Sequence, residues 1–211
     1  EPFAVTKTDL LDRIEAELNN KRGYALAKAA ESAFRGEPAA NSCYGNKETA
    51  SAVTPEIAFS AYENILRTAQ VEITIVSPEE IPGAEADFRR ELSAIDRSPV
   101  PVVYRSKSPI KAEPETLSQE MDVNQCKMVM TMKSGSDDIY AMRMLSVILG
   151  ELPVSKLFLN VREKLSLCYY CASGYSATKG ALIIDSGVQR SNIDKAKEEI
   201  LRQIQLVCDG E

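Results

Sequence analysis

Histidine is absent from this 211-residue sequence. Its absence excludes histidine-ligated zinc and both serine–histidine and cysteine–histidine catalysis from this chain. No apolar run approaches the roughly 20 residues that a membrane helix needs, and the first residues do not resemble a signal peptide. Neither the Gly-x-Gly-x-x-Gly motif nor the Gly-x-x-x-x-Gly-Lys phosphate loop is present.

Cysteine is sparse, and basic residues are outnumbered by acidic ones. The five cysteines form an odd, scattered set, which is typical of a reducing compartment and favours a cytoplasmic location. The net charge of −6, without clustered Lys and Arg, argues against a nucleic-acid or anionic-membrane partner. The chain begins with Glu1-Pro2 rather than Met, so we interpret it as a piece of a longer protein, and any targeting segment would lie outside this sequence.

The composition, 44% hydrophobic and 27% charged, is that of a soluble globular protein with enough residues for one large domain or two small ones. Residues 8–34 have a helical pattern that Thr8 would cap, with a second helical pattern over 24–34. Thr54 and Pro55 predict a second helix start, since a hydroxyl caps well and proline fits the first helical position. The alternating apolar residues 71–76 predict a strand, followed by an amphipathic helix with Phe88 inward.

A proline-rich stretch divides the chain. Four prolines lie between residues 96 and 114, and no helical period is present there, which predicts an extended linker. We therefore divide the chain into a first α+β part, residues 1–97, a linker, residues 98–114, and a second α+β part, residues 115–211.

The second part alternates strand and helix patterns. Together with the first part it predicts an α+β fold, with antiparallel or mixed sheets and helices packed on one face. Ser191, with Asp194 three residues later, resembles a capping box that opens a helix with Ile200 and Leu201 inward. The other predicted elements are a strand within 116–132, a buried helix at 137–149, a helix at 154–164, and a strand pair at 167–175 and 181–186.

Cys168 and Cys171 form a Cys-x-x-Cys motif, which is typical of a redox pair or half a zinc site. On a regular strand, however, these positions point to opposite faces, and no second such motif is present to complete four ligands. We therefore interpret both as buried structural cysteines. Met128, Met130 and Met132 alternate along a strand, which favours core packing, with an adaptable peptide-contacting surface as the alternative.

Arg162 and Tyr169 lie seven positions apart, where a helical pattern meets a strand pattern. In the simpler interpretation Arg162 is an exposed helix residue and Tyr169 a half-buried strand residue. In the functional interpretation both side chains point into one groove and polarise a peptide carbonyl, a kind of interaction typically worth about 10²–10³ in rate. The residue pattern leaves both interpretations open.

Several segments resemble the pitrilysin/insulinase superfamily of zinc metallopeptidases, including its mitochondrial-processing-peptidase-like bacterial members. The segments are DVNQ at 122–125, ILGELPVSKLFLNVREKLSLCYY at 148–170, GALIIDSGV at 180–188 and NIDKAKEEI at 192–200. Residues 43–76 are also similar to that family. The resemblance implies homologous α+β halves joined by a linker around a substrate chamber. This chain would begin late in one half and end inside the next.

The resemblance also implies a division of chemistry between the halves. One half carries a His-x-x-Glu-His zinc motif, which this chain lacks and which would lie before Glu1. The matching half carries an Arg…Tyr pair, here Arg162 and Tyr169, which orients the substrate carbonyl. No cofactor is then expected in this chain. Zinc would be held upstream in the parent or by a homologous partner subunit, and SLCYY is closer to non-zinc bacterial subunits.

Two further classes remain open. In this superfamily, peptidase-like proteins also occur as non-enzymatic assembly subunits, as in the core of respiratory complexes, and this chain would then be catalytically inactive. The third class is an α+β domain with an unrelated binding role. In the peptidase interpretation the partners are the zinc-bearing half or subunit and a peptide substrate, without nucleic acid or a membrane span, and this chain alone is expected to be inactive.

Overall fold

A computed structural model of the chain describes residues 2–101 and 108–211. The chain forms an α+β fold in which helices surround one small antiparallel sheet. The α+β class predicted from the sequence is confirmed. None of the helices in these two ranges is both long enough and apolar enough to cross a membrane. The helices are α1 Pro2–Ala16, α2 Lys21–Ala33, α3 Lys47–Ala52, α4 Pro55–Thr68, α5 Ala84–Ser93, α6 Ile139–Ser146 and α7 Ile193–Cys208.

The first helix begins earlier than predicted. Thr8 lies inside α1, where its hydroxyl donates to the carbonyl of Ala4, because the helix begins at Pro2, which fits a first turn. The second helical pattern, predicted over 24–34, corresponds to α2, which begins at Lys21, so a break separates the two helices. The break falls at Asn20, whose side-chain oxygen caps α2 by accepting from the Gly23 amide at 3.0 Å.

The predicted start of α4 is confirmed. The hydroxyl of Thr54 accepts a hydrogen bond from the Ile57 amide at 3.3 Å, and Pro55 occupies the first helical position. The strand predicted at 71–76 is wrong, because this segment is neither helix nor strand and pairs with none of the described strands. Its apolar side chains are left exposed, and Val76 is 91% exposed. An alternating pattern yields a strand only where a neighbour supplies the ladder hydrogen bonds. Phe88 on the following helix was predicted to face inward, but it is 45% exposed, so that prediction is wrong.

The predicted linker, residues 98–114, falls partly outside the described residues, because 102–107 are not described. Its described residues form neither helix nor strand. The strand predicted within 116–132 is shorter than expected, since β1 spans Cys126–Lys133 and the residues before it are irregular.

The sheet is formed by β1, β2 at Cys168–Ser176 and β3 at Ala181–Val188. The strand order is β1-β3-β2, and both pairings are antiparallel. This confirms the predicted strand pair. The ladder between β2 and β3 has one irregularity, a β-bulge between Cys168 and Tyr170. Tyr169 is the extra residue of this bulge.

The core lies between one face of the sheet and a layer of helical segments. This layer consists of α6, α7 and two π-helical segments at Val147–Glu151 and Leu157–Lys164. Met128, Met130 and Met132 pack against this core, which agrees with the core-packing interpretation of the methionine face. The central residues of the cluster are Leu149, Leu157, Val161, Ile184, Val188, Ala196 and Ile200.

Two helix predictions in this layer are corrected. The helix predicted at 137–149 begins after Asp138, whose side chain accepts hydrogen bonds from the backbone amides of Tyr140 and Ala141. It was predicted to be buried, but Tyr140 on this helix is exposed. Ser191 does not cap α7. The N-cap is Asn192, which makes no side-chain hydrogen bond there, because a short 3₁₀ turn precedes the helix.

The opposite face of the sheet is covered by α2. Arg22 on α2 forms a two-point ion pair with the buried Asp185 on β3, with Nε to Oδ2 at 2.5 Å and Nη2 to Oδ1 at 3.1 Å. Tyr170 stacks on this pair, and its ring fills the space above Gly187, where a Cβ would lie 2.5 Å from the Tyr170 Cε1 atom. Gly187 therefore permits the close approach that brings these groups together.

Candidate functional site

Arg162 lies in the second π-helical segment, Leu157–Lys164. Leu157 and Val161 are fully buried and hold this segment on the core. The guanidinium of Arg162 stacks over the Phe158 ring at 4.6 Å and pairs with Glu163 at 3.5 Å, and its side chain is 40% exposed. π-helical turns are rare in proteins, but those that occur are often found at functional sites. The helix type at Arg162 is therefore an indication of function that is independent of the sequence motif. The guanidinium is held in place yet remains open to solvent.

Tyr169 lies at the bulge where β2 begins. It is 51% exposed, and its hydroxyl accepts a hydrogen bond from the side-chain Nε2 of Gln189 at 3.2 Å. A phenol that accepts from an amide keeps its own proton free to donate. Tyr169 is therefore a half-exposed hydrogen-bond donor at the start of β2.

The connection between the two residues is short and ordered. The amide of Leu165 donates to the Asn160 carbonyl at 3.1 Å, and the amide of Leu167 donates to the Val161 carbonyl at 3.0 Å. Ser166 between them has a left-handed φ of 50°, which turns the chain sharply into β2. The junction is thus tied to the helical segment and positions both side chains.

Arg162 and Tyr169 flank this junction, but no hydrogen bond joins them within 2–101 and 108–211. The positive charge of Arg162 does reach the start of β2, because it helps to lower the pKa of Cys168, the residue next to Tyr169. Their placement is compatible with both interpretations of the pair, and their role remains a prediction.

The cysteine pair does not lie as the sequence predicted. Cys168 pairs with Val188 and Cys171 with Ser186, two positions of β3 that face the same side. The bulge adds one residue to β2 and so turns both cysteines into the core, where they are buried. The prediction of opposite faces is wrong for this reason, whereas the prediction of burial is confirmed.

The two thiols differ in their electrostatics. A hydrogen bond with Cys171 lowers the pKa of the Cys168 thiol to about 7, with smaller contributions from the Ser186 hydroxyl and the Arg162 charge and with burial acting in the opposite direction. The pKa of Cys171 is raised, chiefly by its interaction with Cys168 and by burial. Cys168 is therefore the member of the pair that ionises first.

One cluster on the opposite face escaped the sequence analysis. The Tyr170 ring lies 4.9 Å from the Arg22 guanidinium and 5.3 Å from the Lys127 ammonium, with Asp185 completing the group. Burial and the nearby Asp185 charge raise the pKa of Tyr170. The only sequence signal was a lone aspartate in the apolar run GALIIDSGV, and nothing local identified Arg22 as its partner.

Zinc does not fit the residues present. Within residues 2–101 and 108–211, no three His, Cys, Asp or Glu side chains are grouped so that they could hold a metal ion. No catalytic step through a metal is derived for this chain.

Comparison with known proteins decides the family. The family model described as the peptidase M16 inactive domain matches residues 52–211. The chain belongs to this family. This confirms the resemblance to the pitrilysin/insulinase superfamily and makes the chain a peptidase-like domain of the inactive type.

Individual relatives agree with this assignment. The chain is 26% identical, over 99% of its length, to the "Probable inactive metalloprotease YmfF" of Bacillus subtilis (strain 168). Its fold matches a conserved protein from Enterococcus faecalis V583, with a TM-score of 0.81, 22% identity and 95% of this chain covered. It also matches a peptidase M16 inactive domain from Pseudomonas fluorescens, with a TM-score of 0.74, 21% identity and 96% covered. The chain spans 50%, 48% and 50% of these three proteins, respectively.

Proposed function

We propose that this inactive-type domain is the non-zinc, substrate-binding portion of a pitrilysin-type zinc metallopeptidase. Zinc would be held upstream in the same parent or by a homologous partner subunit. In this proposal residues 1–97 are the later part of one α+β half, and residues 115–211 are the first part of the next. The observation that carries it is the placement of Arg162 and Tyr169, two half-exposed donors on either side of one hydrogen-bonded junction.

The role proposed for the pair is to orient and polarise a peptide carbonyl. The Arg162 guanidinium and the Tyr169 hydroxyl would both donate to the carbonyl oxygen, whose negative charge grows when the carbon is attacked. Donors fixed before the reaction stabilise that charge without reorganisation. The stacking on Phe158 and the hydrogen bond from Gln189 support this role, because they hold both donors in place.

The test uses the intact parent protein, tagged in its own host and isolated with whatever co-purifies. Its zinc content and chelator-sensitive peptide cleavage are measured for the wild type and for Arg162→Ala and Tyr169→Phe. We expect each variant to retain assembly and to lose cleavage, with Arg162→Ala losing about 10²–10³-fold.

Matched controls separate this role from general surface effects. Arg190→Ala removes an exposed arginine that pairs with Glu120, and Tyr140→Phe removes the hydroxyl of an exposed tyrosine. Both controls should cleave as the wild type does. Normal cleavage by both Arg162→Ala and Tyr169→Phe would show that the carbonyl-orienting role is wrong.

A second candidate, an inactive protein with an assembly role, is favoured by a different observation. Large apolar side chains on α4 and in the segment after it are exposed, namely Ile57, Phe59, Tyr62, Ile65 and Val76. Exposed apolar area on this scale favours an interaction surface. In this case the purified assembly would contain no zinc and show no cleavage.

The assembly candidate makes its own prediction. Phe59→Asp should release the co-purifying partner, because it puts a charge in the exposed apolar surface, whereas Arg162→Ala should not. Val5→Asp, at an equally exposed apolar position on α1, serves as the control. The measurement is the amount of partner recovered with each variant, and equal recovery from Phe59→Asp and wild type would exclude α4 as the interface.

A further inference from the structure

The bulge in β2 changes the geometry of the Cys-x-x-Cys motif. β2 places two residues, Tyr169 and Tyr170, between its cysteines, while β3 places only Gly187 between their partners Val188 and Ser186. The two thiols therefore face the same side of the sheet and lie next to each other in the core.

The bulge also brings the two Cα atoms closer together. Cys168 and Cys171 pair with Val188 and Ser186, which are two positions apart on β3. The distance between the two cysteine Cα atoms is therefore about twice the rise per residue of a strand, or about 6.4–6.8 Å. In a regular strand the same motif would span about 10 Å. A disulfide requires a Cα separation of about 4.4–6.8 Å, so the separation in the bulged strand lies at the upper end of this range and that in a regular strand lies outside it.

The surroundings make the two thiols unequal. Cys168 is 9% exposed and Cys171 is 4% exposed, so Cys168 is nearer to solvent. The Ser186 hydroxyl interacts with both thiols, and the charge of Arg162 favours the Cys168 thiolate. Both thiols are buried, but the cysteine nearer to solvent and to a positive charge is placed to attack, and the more deeply buried one is placed to resolve.

We propose that Cys168 and Cys171 form a reversible dithiol–disulfide site that reacts with small hydroperoxides. Cys168 is the attacking thiol and Cys171 the resolving thiol. The site does not require the proposed peptidase role, because the bulge brings the two thiols together without any contact with a peptide substrate.

The chemistry proceeds in two balanced steps. The Cys168 thiolate attacks one peroxide oxygen, so that an S–O bond forms, the O–O bond breaks, and the departing alkoxide or hydroxide takes a proton. The Cys171 thiol then attacks the Cys168 sulfenic sulfur. An S–S bond forms, the S–O bond breaks, and hydroxide leaves with the Cys171 proton as water. The thiols lose two electrons, the peroxide gains them, and a low-molecular-weight thiol reverses the change.

The test uses hydrogen peroxide and the full chain with Cys43, Cys126 and Cys208 replaced by serine. Intact-mass spectrometry should show the loss of two hydrogen atoms, and dithiothreitol should restore them. In the same background, Cys171→Ser should give a sulfenic acid on Cys168 that dimedone traps. Cys168→Ser should react at least about tenfold more slowly, because the remaining thiol is little ionised.

Two measurements make the result decisive. Circular dichroism shows whether each variant is folded. Differential alkylation of the wild-type chain, followed by peptide mapping, tests the same bond without any substitution. A folded protein whose Cys168 and Cys171 both stay alkylatable after peroxide treatment would overturn the proposal. Oxidation that occurs only in denaturant, or no faster than that of the exposed Cys208, would overturn it as well.

Discussion

Replacing Gly150 with alanine should destabilise the protein by about 3 kcal/mol, the upper part of the range for overpacked cores. Gly150 is buried in the first π-helical segment, directly against β2. A Cβ at this position would lie 2.5 Å from the Ser173 backbone nitrogen and 2.8 Å from its Oγ. The nearest atom belongs to the backbone of a paired strand, so the clash cannot be relieved by a rotamer change.

Neighbouring hydrogen bonds make this contact still less adaptable. The Ser173 hydroxyl donates to the Ser146 carbonyl at 2.7 Å, and the Ser146 hydroxyl donates to Glu151 at 2.6 Å. Moving β2 away from Gly150 would stretch the first bond and open the core around Leu149. The strain therefore spreads through the sheet instead of staying local.

The measurement is thermal unfolding followed by circular dichroism, in which Gly150→Ala should lower Tm by about 6–12 °C. Gly174→Ala is the matched control, since this glycine lies on β2 itself and a Cβ there would meet nothing within 4 Å. The control should be neutral or slightly stabilising, because alanine loses less backbone entropy on folding. Equal Tm values for the two variants would show that the helix does not approach the strand this closely.

Truncating Ile200 to alanine should cost about 2–5 kcal/mol, the usual result of emptying a fully buried aliphatic position. Ile200 is 0% exposed and lies in the core cluster together with Leu157, Val161 and Ile184. Its loss removes buried apolar area and leaves a cavity that the packed neighbours fill only in part.

The adjacent residue provides the control. Leu201 is 45% exposed, so Leu201→Ala should cost less than about 1 kcal/mol. Urea unfolding should show a lower midpoint with an unchanged slope for Ile200→Ala, and almost no change for Leu201→Ala. If both variants lost the same stability, α7 would have to present a different face to the sheet. The result thus tests the rotation of the C-terminal helix as well as the depth of the core.

Ile200 and Leu201 are neighbours on α7 but differ in burial. Both were predicted to face inward, and only Ile200 does. A helical stripe can be wider than the surface that covers it, so an apolar residue at its margin is buried only if a neighbouring element reaches it. The helix itself was predictable, but the part of it that becomes core was not.

The helix-to-strand junction that carries Arg162 and Tyr169 was predictable, whereas the role of the two residues remains a prediction. Arg162, Tyr169 and their helix-to-strand junction were identified from a local motif, and the structure places them on either side of that junction. The Arg22–Asp185 ion pair was not found, because its partners are 163 positions apart and each looks ordinary in its local context. Long-range pairs of this kind leave no periodic signal in a single sequence.

The sequence by itself determined the α+β class, the strand pair, the start of α4 at Thr54 and Pro55, and the membership of a peptidase-like family. These features depend on near neighbours, namely capping groups, alternation and contiguous motifs. Only the tertiary structure decided that residues 71–76 form no ladder with the described residues and that a bulge at Tyr169 turns both cysteines to one face. Strand pairing and register depend on a second segment, and the residues of one strand do not specify which neighbour it meets or where an extra residue is inserted.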